Sequence, residues 1–461
     1  MAKTFMGVRL IRLREERGLN QLTFAKKLGI SPSYLNQLER NQRPLTVSIL
    51  LRINEQFGVD VQMFSENDEA RLIADVRDAL AETGSEAPSS VEISSLVSNM
   101  PGVARSIVEL QRRTRAAAER MDTLLAAVGD KQNLPSFSML GLHEEVRDYF
   151  NRRHNHIAEL DDAAEAIFRD GGFVPGEAAP KLMQRLAEHH GIRVLISGSG
   201  SGAADKQRYD ARTKTLHLAD FLQPGQQAFQ MAVQLAQMEM DDVISKLIRE
   251  GGFAAGESSR LARIGLSNYF AGALVMPYGA FLHSAEELSY DVERLASRFG
   301  VGFEAACHRL STLQRAGAPG LPFFFVRVDR AGNVSKRHSA ADFHFSRIGG
   351  TCPLWIVYEA FSQPDRVLSQ VAGMPDGRNY FWIARRVVSG TVGYGKPQKT
   401  FAVGLGCDLR HAHRLVYSRG FNLSEPNAAT RIGLGCKVCD RKDCVQRAAP
   451  SLLDRQKTPA A

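Results

Sequence analysis

The chain has 461 residues, a net charge of +8, and 44% hydrophobic against 23% charged residues. That is a globular composition, enough for about three domains at ~150 residues each, and it excludes a disordered or collagen-like chain. No apolar run is long enough to cross a membrane and the N-terminus lacks a secretory hydrophobic region, so the expected location is cytoplasmic, with reduced cysteines.

The first element of interest is Asn20 to Arg43. Asn20 caps a short helix with Leu22, Ala25 and Leu28 as its apolar stripe, and Gly29 ends it. Ser31 caps a second helix, with Pro32 at its first position. At about 100° per residue, Tyr34, Leu35 and Leu38 fall on one face, and Ser33, Asn36, Gln37 and Arg40 on the other. Amides and hydroxyls at that spacing reach base edges in a major groove. From Ala2 to Ser65, ten Lys/Arg face five acids, a surplus that favours phosphate.

Residues 8–64 resemble the lambda-repressor or Cro type of helix-turn-helix domain, including the exit Leu35 to Pro44 from the recognition helix. The resemblance implies double-stranded DNA as partner and a contact set of Gln21, Ser31, Ser33, Asn36, Gln37, Arg40, Asn41 and Arg43. Gln21 would meet a phosphate, Ser33 and Gln37 would face bases, and Arg40, Asn41 and Arg43 would approach the backbone. Five short helices are expected in this all-α domain, assigned to residues 1–67.

Residues 68–139 are expected to be a helical linker, with a breaker-rich stretch at Glu82 to Ser90. A long helix follows over Val103 to Val128. Ile107, Leu110, Thr114, Ala117, Met121, Leu124 and Val128 have the spacing of a coiled-coil seam, weakened by Thr114 and Ala117. The same helix can instead lie on the next domain. A homodimer is expected in either case, because such DNA readers pair two half-sites.

From 140 to 315 the pattern is α/β, with a strand at Ile192 to Ile196 and a hairpin around Arg208 to Leu218. Ser197 to Gly202 (SGSGSG) lacks the Gly-Lys-Ser/Thr ending of a phosphate loop and reads as a flexible hairpin loop. Ala228 to Glu239, followed by Ser267 to Phe270 and AGALVMP at 271–277, resembles the IrrE-like, zincin-like module. Active members carry His-Glu-x-x-His, two imidazoles for zinc and a carboxylate to activate water. Here those positions are Val233, Gln234, Leu235, Ala236 and Gln237, and the expected third-ligand segment is Ile264-Gly265-Leu266. The resemblance therefore implies a scaffold without its metal ligands, and no catalytic residue is assigned. His189 and His190 end a helix, where their charge suits the dipole.

Residues 316–450 read as an α+β domain, with strands at Phe323 to Val328, Val334 to Arg337, Leu354 to Tyr358, Tyr380 to Val388 and Thr400 to Leu405; 451–461 reads as a disordered tail. Gly404-Leu405-Gly406-Cys407 recurs 29 positions later as Gly433-Leu434-Gly435-Cys436, which continues to Cys439 and Cys444. Cys407, Cys436, Cys439 and Cys444 make a four-thiolate set for zinc or an iron–sulfur cube. Lys437, Arg441, Lys442 and Arg447 would offset the thiolate charge. A redox-active thiol cluster, or buried cysteines without a ligand, are the alternatives; Cys352 is a spare ligand and Cys307 core.

The whole order resembles the short-chain fatty acyl-CoA regulators, through Gly349 to Trp355, Met374 to Arg378, Gly406 to Ala412 and the cysteine segment to Ala448. That resemblance implies a transcription factor with a short-chain acyl-CoA effector, controlling propionyl-CoA, acetate or glyoxylate genes. Arg378, Arg385, Arg386, Lys396 and Lys399 suit the coenzyme's phosphates, with Trp355, Tyr358, Phe381 and Trp382 covering adenine or acyl tail; a basic solvated face over an aromatic core is the alternative. An antitoxin or adaptor whose cysteine domain makes protein contacts is the competing function.

Overall fold

The structure, a computed structural model, describes residues 7–40, 42–43, 45–57, 66–81, 88–128, 139–197, 206–253, 256–339, 352–375, 377–390, 394, 398–425, 429–433, 435–436, 439 and 441–450. The expected disordered tail lies outside them.

Among the described residues, four helices form the N-terminal unit: α1 (Gly7–Glu16), α2 (Gln21–Lys27), α3 (Pro32–Glu39) and α4 (Val47–Phe57). Their apolar faces close on Phe24, Leu28, Leu35, Leu38, Ile53 and Phe57, with Phe24 and Phe57 stacked at 5.0 Å. The caps stand where the sequence placed them: Asn20 Oδ1 accepts from the Thr23 N–H (2.8 Å) and Ser31 Oγ from the Tyr34 N–H (3.1 Å). Gly29 turns the chain at φ +63°, a conformation that suits glycine.

The next helix, α5 (Glu66–Ala81), belongs elsewhere. With α6 (Ser90–Asn99) and α7 (Pro101–Val128) it forms a separate cluster on Val76, Ile93, Val97 and Ala104. Ser89 and Glu92 form a capping box, so the breaker-rich stretch gives way to helix at Ser90 itself. Along the seam on α7, Ile107 is half-buried while Leu110 and Thr114 are exposed.

The middle unit is α8 (Met139–Arg152), α9 (Ala158–Asp170), α10 (Ala178–His190), β1 (Arg193–Ser197), β2 (Gln207–Asp210), β3 (Thr215–Ala219), α11 (Pro224–Glu239), α12 (Asp241–Glu250), α13 (Glu257–Val275), α14 (Tyr278–Glu287), α15 (Val292–Arg298) and α16 (Phe303–Leu310). The sheet order is β1-β3-β2, with β1–β3 parallel and β2–β3 antiparallel. Arg112 on α7 reaches Asp148 on α8 at 2.9 Å. Inside this unit Arg309 and Asp161 form a buried ion pair at 2.5 Å.

The C-terminal unit is a six-stranded sheet, β5-β4-β8-β7-β6-β9. Its elements are β4 (Phe324–Val328), β5 (Val334–Ser339), a short helix α17 (Ile356–Glu359), β6 (Leu368–Gly373), β7 (Asn379–Gly390), β8 (Gln398–Asp408) and β9 (Thr430–Arg431). Leu354 to Tyr358, expected as a strand, is a turn running into α17, and β6 is an additional strand. The sheet's two faces differ. Phe325, Phe381, Ile383, Val403 and Leu405 join the core of the middle unit, while Phe324, Val326, Trp382 and Ala402 pack under Trp355 and Val357. Strand alternation separates them.

Candidate nucleic-acid interface and cysteine site

On α3, Ser33 is exposed, Asn36 and Gln37 are half-exposed, and Arg40 closes the helix as an exposed cap. None of the four side chains makes an intramolecular hydrogen bond among the described residues. Leu35 and Leu38, on the other face, are buried. The helix is positioned by one buried carboxylate. Glu39 accepts from Arg14 Nε on α1 (2.7 Å) and from Gln21 Nε2 at the start of α2 (2.5 Å). Gln21 therefore holds α2 against α3, a role that the sequence did not suggest. Ser31 is spent on its cap, and Arg43 is exposed. Asn41 lies outside the described residues. What remains is a helix with a polar, unengaged outer face on a closed apolar core, the arrangement a major groove accepts.

The cysteines divide differently from the expected set. Cys352, Cys436, Cys439 and Cys444 line one cavity, together with Arg431, Arg441 and Arg447. Cys407 is not among them, which corrects the expectation. It is the register partner of Phe381 and is buried on the face joined to the middle unit. Burial, with Asp408 acting in the same direction, pushes its thiol far above the ordinary range. The first Gly-x-Gly-Cys copy is strand interior: a Cβ at Gly406 would stand 2.5 Å from the Trp382 ring, and one at Gly404 2.7 Å from Val357.

The second copy builds the cavity. A Cβ at Gly433 would meet Cys439 Sγ at 2.6 Å, so glycine leaves room for the sulfur. The Ala448 N–H points at Cys436 Sγ (3.4 Å). Burial raises the Cys352 thiol, while the N–H groups of Gly433 and Leu354 pull it the other way. Among the described residues, no three His, Cys, Asp or Glu side chains are arranged as they stand to hold a metal ion.

Of the five basic residues expected at a coenzyme site, the four among the described residues do not gather. Arg385 pairs with Glu293 at 3.0 Å and lies over the Phe303 ring, on the middle-unit face. Arg386, one position on, faces the other way by strand alternation. Arg378 lies over Tyr380, Lys399 is exposed opposite Ser389, and Lys396 lies outside the described residues. Trp355, Phe381 and Trp382 are core, so they cover no ligand surface.

In α11, Val233, Gln234, Leu235 and Ala236 are buried and Gln237 is exposed. Gln234 Nε2 is buried without a hydrogen-bond partner among the described residues. At its end, Glu239 takes a bidentate pair from Arg185 (2.9 and 2.8 Å) and a bond from His190 (2.9 Å). No helix among the described residues is long and apolar enough to cross a membrane.

The family description "Short-chain fatty acyl coenzyme A regulator, C-terminal" matches residues 312–459, "IrrE N-terminal-like domain" matches 187–311, and "Helix-turn-helix" matches 10–64. The chain is 49% identical to the HTH-type transcriptional regulator PrpR of Mycobacterium tuberculosis over 455 residues, covering 98% of this chain and 93% of that one. It is 50% identical over 456 residues to RamB of the same organism, covering 98% and 96%. It is 39% identical to the propionyl-CoA carboxylase regulator of Cereibacter sphaeroides, again covering 98% and 96%. A solved Mycobacterium tuberculosis transcriptional regulator superposes with a TM-score of 0.65 at 51% identity, covering 68% of this chain and 94% of that one. These relatives are named as regulators, the two from Mycobacterium tuberculosis as regulators of transcription. The chain belongs to the helix-turn-helix transcriptional regulators that carry an IrrE-like middle domain and a short-chain fatty acyl-CoA regulator C-terminal domain.

Proposed function

We propose that this regulator acts in the cytoplasm as a homodimer, reads operator DNA with α3, and answers to a short-chain acyl-CoA. Its target genes are those of propionyl-CoA, acetate or glyoxylate metabolism; one relative is named as a propionyl-CoA carboxylase regulator. The observation that carries the reading is the outer face of α3: Ser33, Asn36, Gln37 and Arg40 stand unengaged over a closed core. Gln37 and Ser33 read bases, Arg40 and Arg43 hold phosphates, and Gln21 sets the angle of α2 through Glu39. Pairing of two half-sites runs through the exposed face of α7, where Leu110 is 62% exposed.

The domain division that fits is 1–67, 68–139, 140–315 and 316–450, with the effector bound in the last. Arg386 and Lys399, which no carboxylate takes among the described residues, are the cations we assign to its phosphates. The middle module is a zincin-type scaffold without a metal site, since Val233 offers no lone pair and Gln234 no carboxylate.

We further assign a four-thiolate centre, zinc or an iron–sulfur cluster, to Cys352, Cys436, Cys439 and Cys444. The donor set fits such a group. It supplies four sulfurs, N–H groups directed at Cys352 and Cys436, and a glycine that leaves room for Cys439. When bound, the group would cross-link Cys352 to the loop that follows β9, and this chain's residues would hold its sulfurs in place.

Titrating the purified protein on its own promoter with a panel of acyl-CoAs tests the central reading. A shift in operator affinity with one short-chain acyl-CoA, and none with free coenzyme A on random DNA, is expected. No response to any acyl-CoA would remove the effector assignment. Elemental analysis and an absorption spectrum of anaerobically purified protein separate zinc from iron–sulfur.

A further inference from the structure

Arg441 and Arg447 line the cysteine cavity, and both are half-buried. Each spends its donors on backbone carbonyls. Arg441 donates from Nε to Ile432 O (2.9 Å) and from Nη2 to Gly373 O (2.7 Å), fastening the loop to the end of β6. Arg447 donates from Nη1 to Cys436 O (3.3 Å) and from Nη2 to Arg441 O, fastening the loop to itself. Carbonyls carry no net charge, and among the described residues neither guanidinium is ion-paired with a carboxylate. Two half-buried positive charges thus face a cavity whose remaining polar lining is four thiols and the exposed Arg431. A half-buried cation without a counter-charge is costly.

The missing charge has an obvious source. Four thiolates around one Zn²⁺, or around a [4Fe–4S]²⁺ core, carry a net charge of about −2 in either case. We propose that Arg441 and Arg447 are the charge-compensating, positioning pair of the four-thiolate centre. The inference rests on that centre being present. Lys442 and Arg431 are exposed, so water already screens them, and they are not part of the pair.

The test uses the full chain, purified anaerobically, with metal content and the rate of metal loss to a chelator as readouts. Arg441→Gln and Arg447→Gln remove charge, while Arg441→Lys and Arg447→Lys keep charge and remove the fork. The Gln variants should lose metal about 10–100-fold more readily, the range for an outer-shell partner. The Lys variants should stay within a few fold of the parent, and Lys442→Gln should equal it. A thermal unfolding profile like the parent's reports that each variant is folded; DNA affinity cannot, since the helix-turn-helix closes on its own core. Gln and Lys variants equally impaired would overturn charge compensation, and Gln variants as tight as the parent would overturn the pair. A parent chain without metal would overturn the centre itself, a result distinct from either.

Discussion

Gly406 and Trp382 are register partners on β8 and β7, and a Cβ on Gly406 would stand 2.5 Å from the indole. The glycine is there because the ring lies flat against the strand. Gly406→Val should therefore destabilise the sheet by about 1–3 kcal/mol, the usual cost of overpacking. Denaturant unfolding checks this, and an unchanged midpoint would mean that the ring moves aside freely.

The same strand decides which cysteines act together. Cys407 points to the face opposite Gly406 and is buried in the core shared with the middle unit. Cys352→Ser should abolish metal binding, whereas Cys407→Ser should keep it and instead lower stability by about 1–3 kcal/mol for a buried hydroxyl. Metal loss in Cys407→Ser with full metal in Cys352→Ser would restore the set expected from the repeat.

For DNA, the exposed face of α3 separates two kinds of contact. Gln37→Ala should weaken operator binding by about 1–3 kcal/mol and leave affinity for random DNA nearly unchanged. Arg43→Ala should weaken both and flatten the salt dependence. Equal losses on operator and random DNA for Gln37→Ala would take that residue off the base-reading face.

These cases show what the sequence could carry. Caps are local, so Asn20, Ser31 and Pro32 announced their helices without help. The strands β4, β7 and β8 were legible as largely apolar runs, because both faces of this sheet are covered. What failed was the assignment of partners across long separations. The two Gly-x-Gly-Cys copies are alike in letters, yet one spaces a strand from Trp382 and the other makes room for Cys439. Nothing near Cys407 encodes which face it takes; the register of β8 against β7 does. Arg385 and Arg386 looked like one patch for the same reason, although adjacent strand residues point apart. The link of Gln21 to Glu39 spans 18 residues and has no local signal.

A half-buried histidine pair bridges the middle unit and the edge strand β5. His308 Nε2 and His338 Nε2 are 3.1 Å apart, so at least one imidazole must be neutral. Burial holds His308 down to about 3, with Lys336 and Arg309 acting in the same direction. Burial, then His308, Lys336 and Arg147, lowers His338 as well. Nearby on α16, Glu304 is bonded to Lys336 (2.8 Å) and Arg327 (2.9 Å); burial raises its carboxyl, and the two cations more than reverse that. The unfolded imidazoles titrate near about 6.5. Their folded values lie lower, so the contribution is intact above that pH and is lost as pH falls towards about 3, because the unfolded chain takes protons the folded one refuses. His308→Gln with His338→Gln should flatten the decline in stability that sets in as pH falls below about 6.5. Parallel stability–pH curves for parent and variant would refute the assignment.

The middle unit is pinned by Asp161 and Arg309, residues 148 apart in sequence. Asp161 accepts from Arg309 Nη2 (2.5 Å) and from the Tyr269 hydroxyl (2.5 Å), which in turn accepts the Ile157 N–H (3.0 Å). Arg309 also donates to the Met276 carbonyl (2.9 Å), so α9, α13 and the exit of α16 meet at one point. Both charged side chains are almost wholly buried. Removing one partner leaves a buried charge uncompensated, a loss of about 3–5 kcal/mol, whereas removing both leaves only a packing defect. Arg309→Met and Asp161→Leu should each destabilise the middle unit strongly, and the double variant should lie well short of their sum. Binding to random DNA should survive in all three, because α1 to α4 close on their own core. Additive losses in the double-mutant cycle would mean that the two charges are stabilised by other groups, and that the pin as drawn is wrong.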